Sequence, residues 1–251
     1  MASGRTIDRG ELLAIFIGGA GGALARTGAV IAFGAPARAW PWSIFVINPT
    51  GAFALGYVAA RPPLRLRRGI YAAALLDTGC CGAFTTFSTM MLELSQMLDA
   101  GRLGLRSTRR RASPAGSPRS RSPHGSTVTG GAGVSAPDWN AVGLLGGAAS
   151  VARYLLGGIV TAAGRSSFAL GTLLVNISGA LALGVLIGLR VHGTARVLLG
   201  TATLGAFTTF STWMLESDRL GRYERLRPAT VNVVASLVAG VAAVALGRLL
   251  G

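Results

Sequence analysis

Two nearly identical stretches of this sequence carry an unusual density of hydroxyl groups. GAFTTFSTMMLE spans Gly82–Glu93, and GAFTTFSTWMLE spans Gly205–Glu216. Hydroxyls donate and accept hydrogen bonds, and the edge of a Phe ring carries partial positive charge. Both stretches lie in apolar surroundings, where burying a hydroxyl cluster is costly unless it is bonded or lines a polar path. We therefore expect the two stretches to line an ion pathway and to face each other.

The surrounding segments are apolar enough to cross a membrane. Only 13% of the 251 residues are charged, against about 25% in ordinary soluble domains. Seven stretches are long enough to span a hydrocarbon core of about 30 Å. They are 12–33, 39–60, 70–98, 139–164, 166–189, 197–215 and 228–247. The sequence thus predicts an all-α, multi-pass protein of the cell membrane, in contact with the lipid bilayer.

The positive charge does not indicate a nucleic-acid partner. The formal net charge is +15, but the arginines lie between the apolar stretches, as expected for basic residues retained beside a membrane. No nucleotide-binding loop, metal cluster or nucleophile with a base is present in the sequence. We therefore predict neither nucleic-acid binding nor enzymatic activity.

The chain is an internal repeat. Cys81–Glu93 and Leu204–Glu216 share 11 of 13 letters. Two earlier landmarks recur in the same order, so that Arg26 corresponds to Arg153, and Asn48 to Asn176. The predicted domains are a first repeat of three helices at 1–100, an Arg/Ser/Pro/Gly-rich linker at 101–137 that is typical of disorder, and a second repeat of four helices at 138–251.

The arginines predict that the two repeats lie in opposite orientations. In the first repeat the loop between helices 2 and 3 is basic (61–68), whereas in the second the basic loop is the next one (219–227). The three helices before the linker are an odd number of membrane crossings, so the second repeat also begins on the opposite side of the membrane from the first. This topology places the basic linker outside, against the same rule. Two explanations stand: a genuine fusion whose linker replaced a helix, or a frameshifted reading of a fourth helix.

The repeated motifs resemble the Fluc (CrcB) fluoride channel family, which consists of small dual-topology proteins whose four-helix units pack antiparallel. The resemblance rests on GGxxGxxxR in helix 1, VNxxGxxxxG in helix 2 and GxxTTFST in helix 3, and it covers both repeats but not the linker. It implies passive efflux of cytoplasmic fluoride through an intrachain pseudo-dimer or through pairing with another chain.

Fluoride is strongly hydrated, so a pore must replace its water with hydrogen-bond donors. The candidate pore-lining residues are Asn48, Phe87, Ser88, Thr89, Asn176, Phe210, Ser211, Thr212 and Ser236. By resemblance, Arg26 and Arg153 lie near the vestibules. The third helices are expected to break at 82–85 and 205–208, which frees backbone carbonyls. By resemblance, the carbonyls of Gly82, Thr85, Gly205 and Thr208 hold a central structural sodium ion.

The sequence also departs from the family pattern. Met90 and Trp213 stand where the family usually has a second Phe, and Asn232 stands where it often has Tyr before Ser236. The first repeat has no fourth helix. A non-conducting or degenerate channel subunit is therefore an alternative. A small dual-topology drug/proton exchanger is a weaker one, because it needs a carboxylate deep in helix 1, and Glu11 lies only at its mouth.

Overall fold

The part of the chain described by the computed structural model is helical. It comprises residues 8–33, 41–60, 67–99, 135–163, 169–223 and 226–251. The first repeat contains α1 (Arg9–Ala32), α2 (Trp42–Ala59), α3 (Arg67–Ala73), the π-helical segment π1 (Ala74–Cys81), α4 (Gly82–Phe84) and α5 (Phe87–Asp99). The second contains α6 (Ala136–Ala163), α7 (Leu170–Gly188), α8 (Gly193–Arg196), the π-helical segment π2 (Val197–Leu204), α9 (Gly205–Phe207), α10 (Ser211–Tyr223) and α11 (Leu226–Leu250).

Six helical segments within the described residues are long and apolar enough to cross a membrane. They are Arg9–Ala32, Trp42–Ala59, Gly69–Asp99, Asp138–Ala163, Leu170–Gly188 and Leu226–Leu250. The seventh predicted stretch, 197–215, does not qualify. It is divided among π2, α9 and the first residues of α10, and α10 continues into the charged residues Glu216, Asp218, Arg219 and Arg222. The predicted class, an all-helical multi-pass membrane protein, is confirmed.

The third helix of each repeat is broken, as predicted. In the first repeat α4 ends at Phe84, Thr85 is extended with φ −86° and ψ 156°, and α5 begins at Phe87. In the second, Thr208 has φ −90° and ψ 156° between α9 and α10. The π-helical segments precede both breaks. Such bulges are common at functional sites, because they redirect backbone groups from the regular helical pattern.

The first helices of the two repeats pack against each other in antiparallel directions. Tyr154 near the middle of α6 donates a hydrogen bond of 3.0 Å to Glu11 at the start of α1. At the other end, Gly28 of α1 lies opposite Trp139 at the start of α6. Between them, Gly19 faces Ser150 so closely that a Cβ has no room. Small residues at such crossings let helices approach and gain dispersion contacts.

The last helix, α11, packs on elements of both repeats. Against α7, a Cβ added at Gly184 would lie 3.0 Å from the Cα of Gly247. Against α5 of the first repeat, Arg248 Nη1 donates to Ser95 Oγ at 3.2 Å and to Asp99 Oδ2 at 2.7 Å. Among the described residues, the first repeat has no helix equivalent to α11.

The predicted linker at 101–137 lies outside the described residues except for its last three. Ala136 and Pro137 already belong to α6, so this helix begins two residues before the predicted start of the second repeat. The predicted disorder and the two explanations of the linker's origin concern the undescribed part and stay predictions.

Candidate functional site at the paired helix breaks

An asparagine from the second helix of each repeat holds the break in that repeat's third helix. Asn48 Nδ2 donates to Thr86 O at 3.0 Å, and Thr86 N donates to Asn48 Oδ1 at 2.9 Å. Asn176 makes the same pair of bonds with Thr209, at 3.0 and 2.9 Å. Both asparagines are buried. A side-chain amide carries both a donor and an acceptor, so it can satisfy a peptide unit that has left the helix.

Threonines cap the helices of the opposite repeat. Thr85 Oγ1 in the first repeat accepts hydrogen bonds from Phe210 N at 3.2 Å and Ser211 N at 3.1 Å. Thr208 Oγ1 in the second repeat accepts one from Ser88 N at 3.1 Å. The first amide groups of a helix have no partner within it and favour such acceptors. Each repeat therefore completes the helix that follows the break in the other.

Additional hydroxyls close the space between the two breaks. Thr86 Oγ1 accepts from Thr89 N at 3.4 Å, and Thr209 Oγ1 accepts from Thr212 N at 3.2 Å. Across the repeats, Thr86 Oγ1 lies 3.3 Å from Thr208 Oγ1. Eight residues form this cluster, which we call the hydroxyl core: Thr85, Thr86, Ser88, Thr89, Thr208, Thr209, Ser211 and Thr212. The sequence-predicted Ser88, Thr89, Ser211 and Thr212 are thus brought together.

The two predicted pore phenylalanines have different surroundings. Phe87 is fully buried, and a Cβ added at Gly240 of α11 would lie 2.6 Å from its ring. Phe210 is only half-buried. Trp213 lies between them, edge-to-face with Phe87 at a centroid distance of 5.2 Å and with Phe210 at 5.5 Å. The Trp that departs from the family pattern therefore connects the two rings.

Each helix-1 arginine reaches the third helix of the opposite repeat. Arg26 and Arg153 are 1% and 6% exposed. Arg26 Nη2 donates to Thr201 O in π2 at 2.6 Å. Arg153 donates to Ala206 O at 2.9 Å and to Thr78 O in π1. Their predicted position near water-filled vestibules stays a prediction; the side chains themselves are buried between the repeats.

The backbone at the breaks provides carbonyls that have lost their α-helical donors. Thr86 N, which would bond Gly82 O in a regular helix, instead bonds Asn48. Thr89 N, the regular donor for Thr85 O, bonds Thr86 Oγ1. In the second repeat, Thr209 N and Thr212 N likewise bond side chains, so Gly205 O and Thr208 O lose their regular donors. Carbonyl oxygens are ligands for hard cations, and the sodium ion assigned to this set stays a prediction.

Ser236 lies on α11 one turn before Gly240, the residue that contacts the ring of Phe87. It is buried on α11, and its hydroxyl has no hydrogen-bond partner among the described residues. Its neighbour on the same helix, Asn232, donates to Ser217 Oγ at 2.9 Å. The assignment of Ser236 to a pore stays a prediction, supported by an unpaired hydroxyl that is available to a ligand.

Sequence reasoning missed three features of this site. The crosswise capping by Thr85 and Thr208, the backbone clamp made by each asparagine, and the contacts of the arginines with π1 and π2 are all long-range. The only signal in the sequence was the invariance of TTFST between the repeats. Because both copies keep the same hydroxyls, each hydroxyl has a counterpart to meet.

Together, the helices and the site define a helical membrane protein whose two repeats meet at paired helix breaks. The model of the family described as "CrcB-like protein, Camphor Resistance (CrcB)" matches residues 13–113 and 140–248, so the chain belongs to this family.

Similar proteins have about half the length of this chain. The chain is 50% identical to the fluoride-specific ion channel FluC 2 of Mycolicibacterium paratuberculosis over 110 residues, 44% of this chain and 90% of that protein. It is 47% identical to FluC 2 of Mycobacterium tuberculosis over 110 residues, 44% of this chain and 87% of that protein. It is 42% identical to the fluoride-specific ion channel FluC 1 of Symbiobacterium thermophilum over 119 residues, which are 45% of this chain and 96% of that protein. No solved structure matches the chain at a comparable level.

Proposed function

We propose that this chain is a fluoride channel that lets cytoplasmic fluoride leave the cell passively. One observation carries the proposal: the hydroxyl core and its two phenylalanines lie where the third helices of both repeats break and meet. This geometry occurs in a chain of the CrcB family, whose similar members are named fluoride-specific ion channels. Hydrogen fluoride enters as a neutral molecule and ionises inside, so the anion needs a conducting path out.

The chemistry of the site suits a small, strongly hydrated anion. Hydroxyls of Ser88, Thr89, Ser211 and Thr212 can donate hydrogen bonds in place of water, and the edges of Phe87 and Phe210 offer partial positive charge. Asn48 and Asn176 each use one amide hydrogen on the backbone clamp. The second hydrogen of Asn176 is left for an ion, whereas that of Asn48 has Met90 Sδ as a partner at 3.7 Å. The clamp also fixes where that second hydrogen is.

We further propose that the repeats are inverted in the membrane and form an intrachain pseudo-dimer. The antiparallel packing of α1 on α6 supports this arrangement, as does the reciprocal capping by Thr85 and Thr208. Reciprocal contacts of this kind are characteristic of an interface between equivalent units related by a two-fold axis.

A sodium ion at the centre is part of the same proposal. The carbonyls of Gly82, Thr85, Gly205 and Thr208 would hold it, and its charge would offset the cost of bringing an anion into a low-dielectric interior. The guanidinium groups of Arg153 and Arg26 lie against Gly82 and Gly205. These positive groups repel a sodium ion, and the carbonyl dipoles must outweigh that repulsion. We therefore expect sodium to bind only where all four carbonyls are present.

The two potential fluoride paths are not equivalent, because α11 covers Phe87 and no described helix covers Phe210 in the same way. We expect the path beside Phe87 to be the conducting one. Purified protein in liposomes should release fluoride but not chloride. Phe87→Ile should abolish release, and Phe210→Ile should leave most of it intact.

The opposite pattern would show that the uncovered path conducts. No fluoride release from a folded wild-type sample would favour the alternative of a non-conducting subunit, to which the missing helix and the changed residues Met90 and Trp213 point.

A further inference from the structure

The second repeat provides a direct comparison for the unpaired side of the first. Counting from Asn48 and Asn176, Gly56 of α2 corresponds to Gly184 of α7. Gly184 contacts α11 at the backbone of Val244 and Gly247, whereas a Cβ at Gly56 would meet nothing within 4 Å. The same glycine is thus at a helix crossing in one repeat and beside open space in the other.

The residues around Gly56 are exposed in the same asymmetric way. Phe53 of α2 is 77% exposed and Tyr57 is 56% exposed. Their counterparts on α7, Leu181 and Val185, are partly buried, and Leu181 packs into the cluster around α11. The exposed side of α2 therefore has the position of a helix contact surface that lacks its helix.

The groove continues onto α10. In the second groove, α11 covers Phe87 and Met91 of α5 through Gly240. The residues of α10 that correspond to them are Phe210 and Met214, and both are only half-buried. The α2–α10 pair is formed as the α7–α5 pair is. We call the surface made by Phe53, Gly56, Tyr57, Phe210 and Met214 the vacant groove.

We propose that the vacant groove binds one membrane-spanning helix of a separate polypeptide, an apolar helix with small residues at three- and four-residue spacing along one face. This partner completes the first repeat as α11 completes the second. Binding of the partner does not depend on the proposed channel function. Only its effect does, because the partner helix would close the fluoride path beside Phe210.

The chemistry of the partner follows from the helix that fills the matching groove. α11 presents Gly240, Ala243 and Gly247, so its backbone approaches large side chains and glycines closely. Its Arg248 reaches Ser95 and Asp99. The position of Ser95 is occupied on α10 by Asp218, whose side chain is 50% exposed. A basic residue near the end of the partner helix would share this carboxylate with Arg222, which pairs with it at 2.8 Å.

Other occupants fit less well. The segment 100–134, which joins α5 to α6, contains the run Arg109–Arg111 and several prolines and serines, which are costly at the centre of a bilayer. A second copy has its own α11 engaged with α5 and α7, so lending that helix would create the same vacancy. Packing α2 on α2 would bring Phe53 and Tyr57 of each copy against each other at the crossing.

A cross-linking experiment tests the proposal with a peptide of residues 226–251 as the probe for the partner helix. The full chain carries p-benzoylphenylalanine in place of Phe53 and is reconstituted in liposomes with the labelled peptide. We expect a light-dependent cross-link to the peptide, at least fivefold stronger than from the same group in place of Leu13, which is 59% exposed on α1.

Two matched variants make the result specific. Gly56→Leu extends into the vacant groove from a position where a Cβ meets nothing within 4 Å, so the chain should fold normally and lose the cross-link. A peptide carrying Gly240→Leu and Gly247→Leu should also fail to cross-link. Equal cross-linking in all samples, or none in the unaltered chain, would overturn the proposal. So would a cross-link between two copies of the chain that is lost with Gly56→Leu.

Fluoride release is measured separately in the same liposomes. If the peptide cross-links but no sample releases fluoride, the groove is a helix-binding site and the channel function is wrong. If release occurs and the cross-link does not, the channel function stands and the partner helix is wrong.

Discussion

At the scale of single residues, the site depends on side chains that replace the hydrogen bonds of a broken helix. The amides of Asn48 and Asn176 bond both the N–H and the C=O of one threonine in the break. A buried polar backbone group without a partner costs about 1–3 kcal/mol. The asparagines therefore have a structural task in addition to their proposed contact with the ion.

Replacing the asparagine of the second repeat tests the structural task. Asn176→Leu leaves both backbone groups of Thr209 unpaired, and we expect a loss of about 2–4 kcal/mol in unfolding free energy. Asn176→Asp keeps the acceptor for Thr209 N and should cost less. Thermal unfolding in detergent measures both. Asn140→Leu, at an exposed position on α6, is the control, and an equal loss there would contradict the clamp.

The close contact of Gly82 with Arg153 makes a second prediction at this scale. A Cβ at Gly82 would overlap the guanidinium group, which cannot move without releasing Thr78 O and Ala206 O. We expect Gly82→Ala to destabilise the protein by about 1–3 kcal/mol, as overpacking does. Gly157→Ala, which meets nothing within 4 Å, should have no such effect in the same unfolding measurement.

At the scale of elements, the helices after the breaks begin with caps supplied by the opposite repeat. Thr85 caps α10, and Thr208 caps α5. Neither helix has a complete set of partners from its own repeat. The helices of one repeat thus depend on the other repeat for their local stability.

Removing one of these caps should weaken the opposite repeat. Thr85→Val keeps the shape of the side chain but leaves Phe210 N and Ser211 N without their acceptor, at an expected cost of about 1–2 kcal/mol. Hydrogen exchange should then rise in α10, more than in α5. Faster exchange confined to α5 would contradict crosswise capping, and Thr230→Val, at an exposed position on α11, provides the control.

At the scale of the whole molecule, the two repeats are not equivalent. α11 packs on both repeats, and the first repeat has no counterpart among the described residues. One side of the hydroxyl core is therefore enclosed by protein, while the other borders the vacant groove. The proposed inversion of the repeats places these two sides at opposite orientations in the membrane.

Labelling of single cysteines tests that inversion. In a background with Cys80→Ala and Cys81→Ala, Ala60→Cys and Leu189→Cys mark the residues that directly follow α2 and α7. Inverted repeats predict that a membrane-impermeant thiol reagent, added outside intact cells, labels one of the two and not the other. Labelling of both from the same side would show that the repeats are parallel and would remove the basis of the pseudo-dimer.

The sequence alone determined the membrane class, the repeat and the position of both helix breaks. These follow from local composition and from the identity of the TTFST copies, which need no knowledge of distant contacts. The same reasoning predicted seven spanning helices; six segments of the described residues are long and apolar enough, and 197–215 is divided among shorter helices.

Only the tertiary structure decided which group bonds which. Nothing in the spacing of Thr85 indicates that it caps α10, more than a hundred residues away, or that Asn48 clamps Thr86 and that Arg153 reaches Thr78 O. Such contacts depend on the packing of helices from both repeats, and the free energy that selects them comes from satisfying buried polar groups together. A sequence lists those groups, but only the folded chain brings each donor to its acceptor.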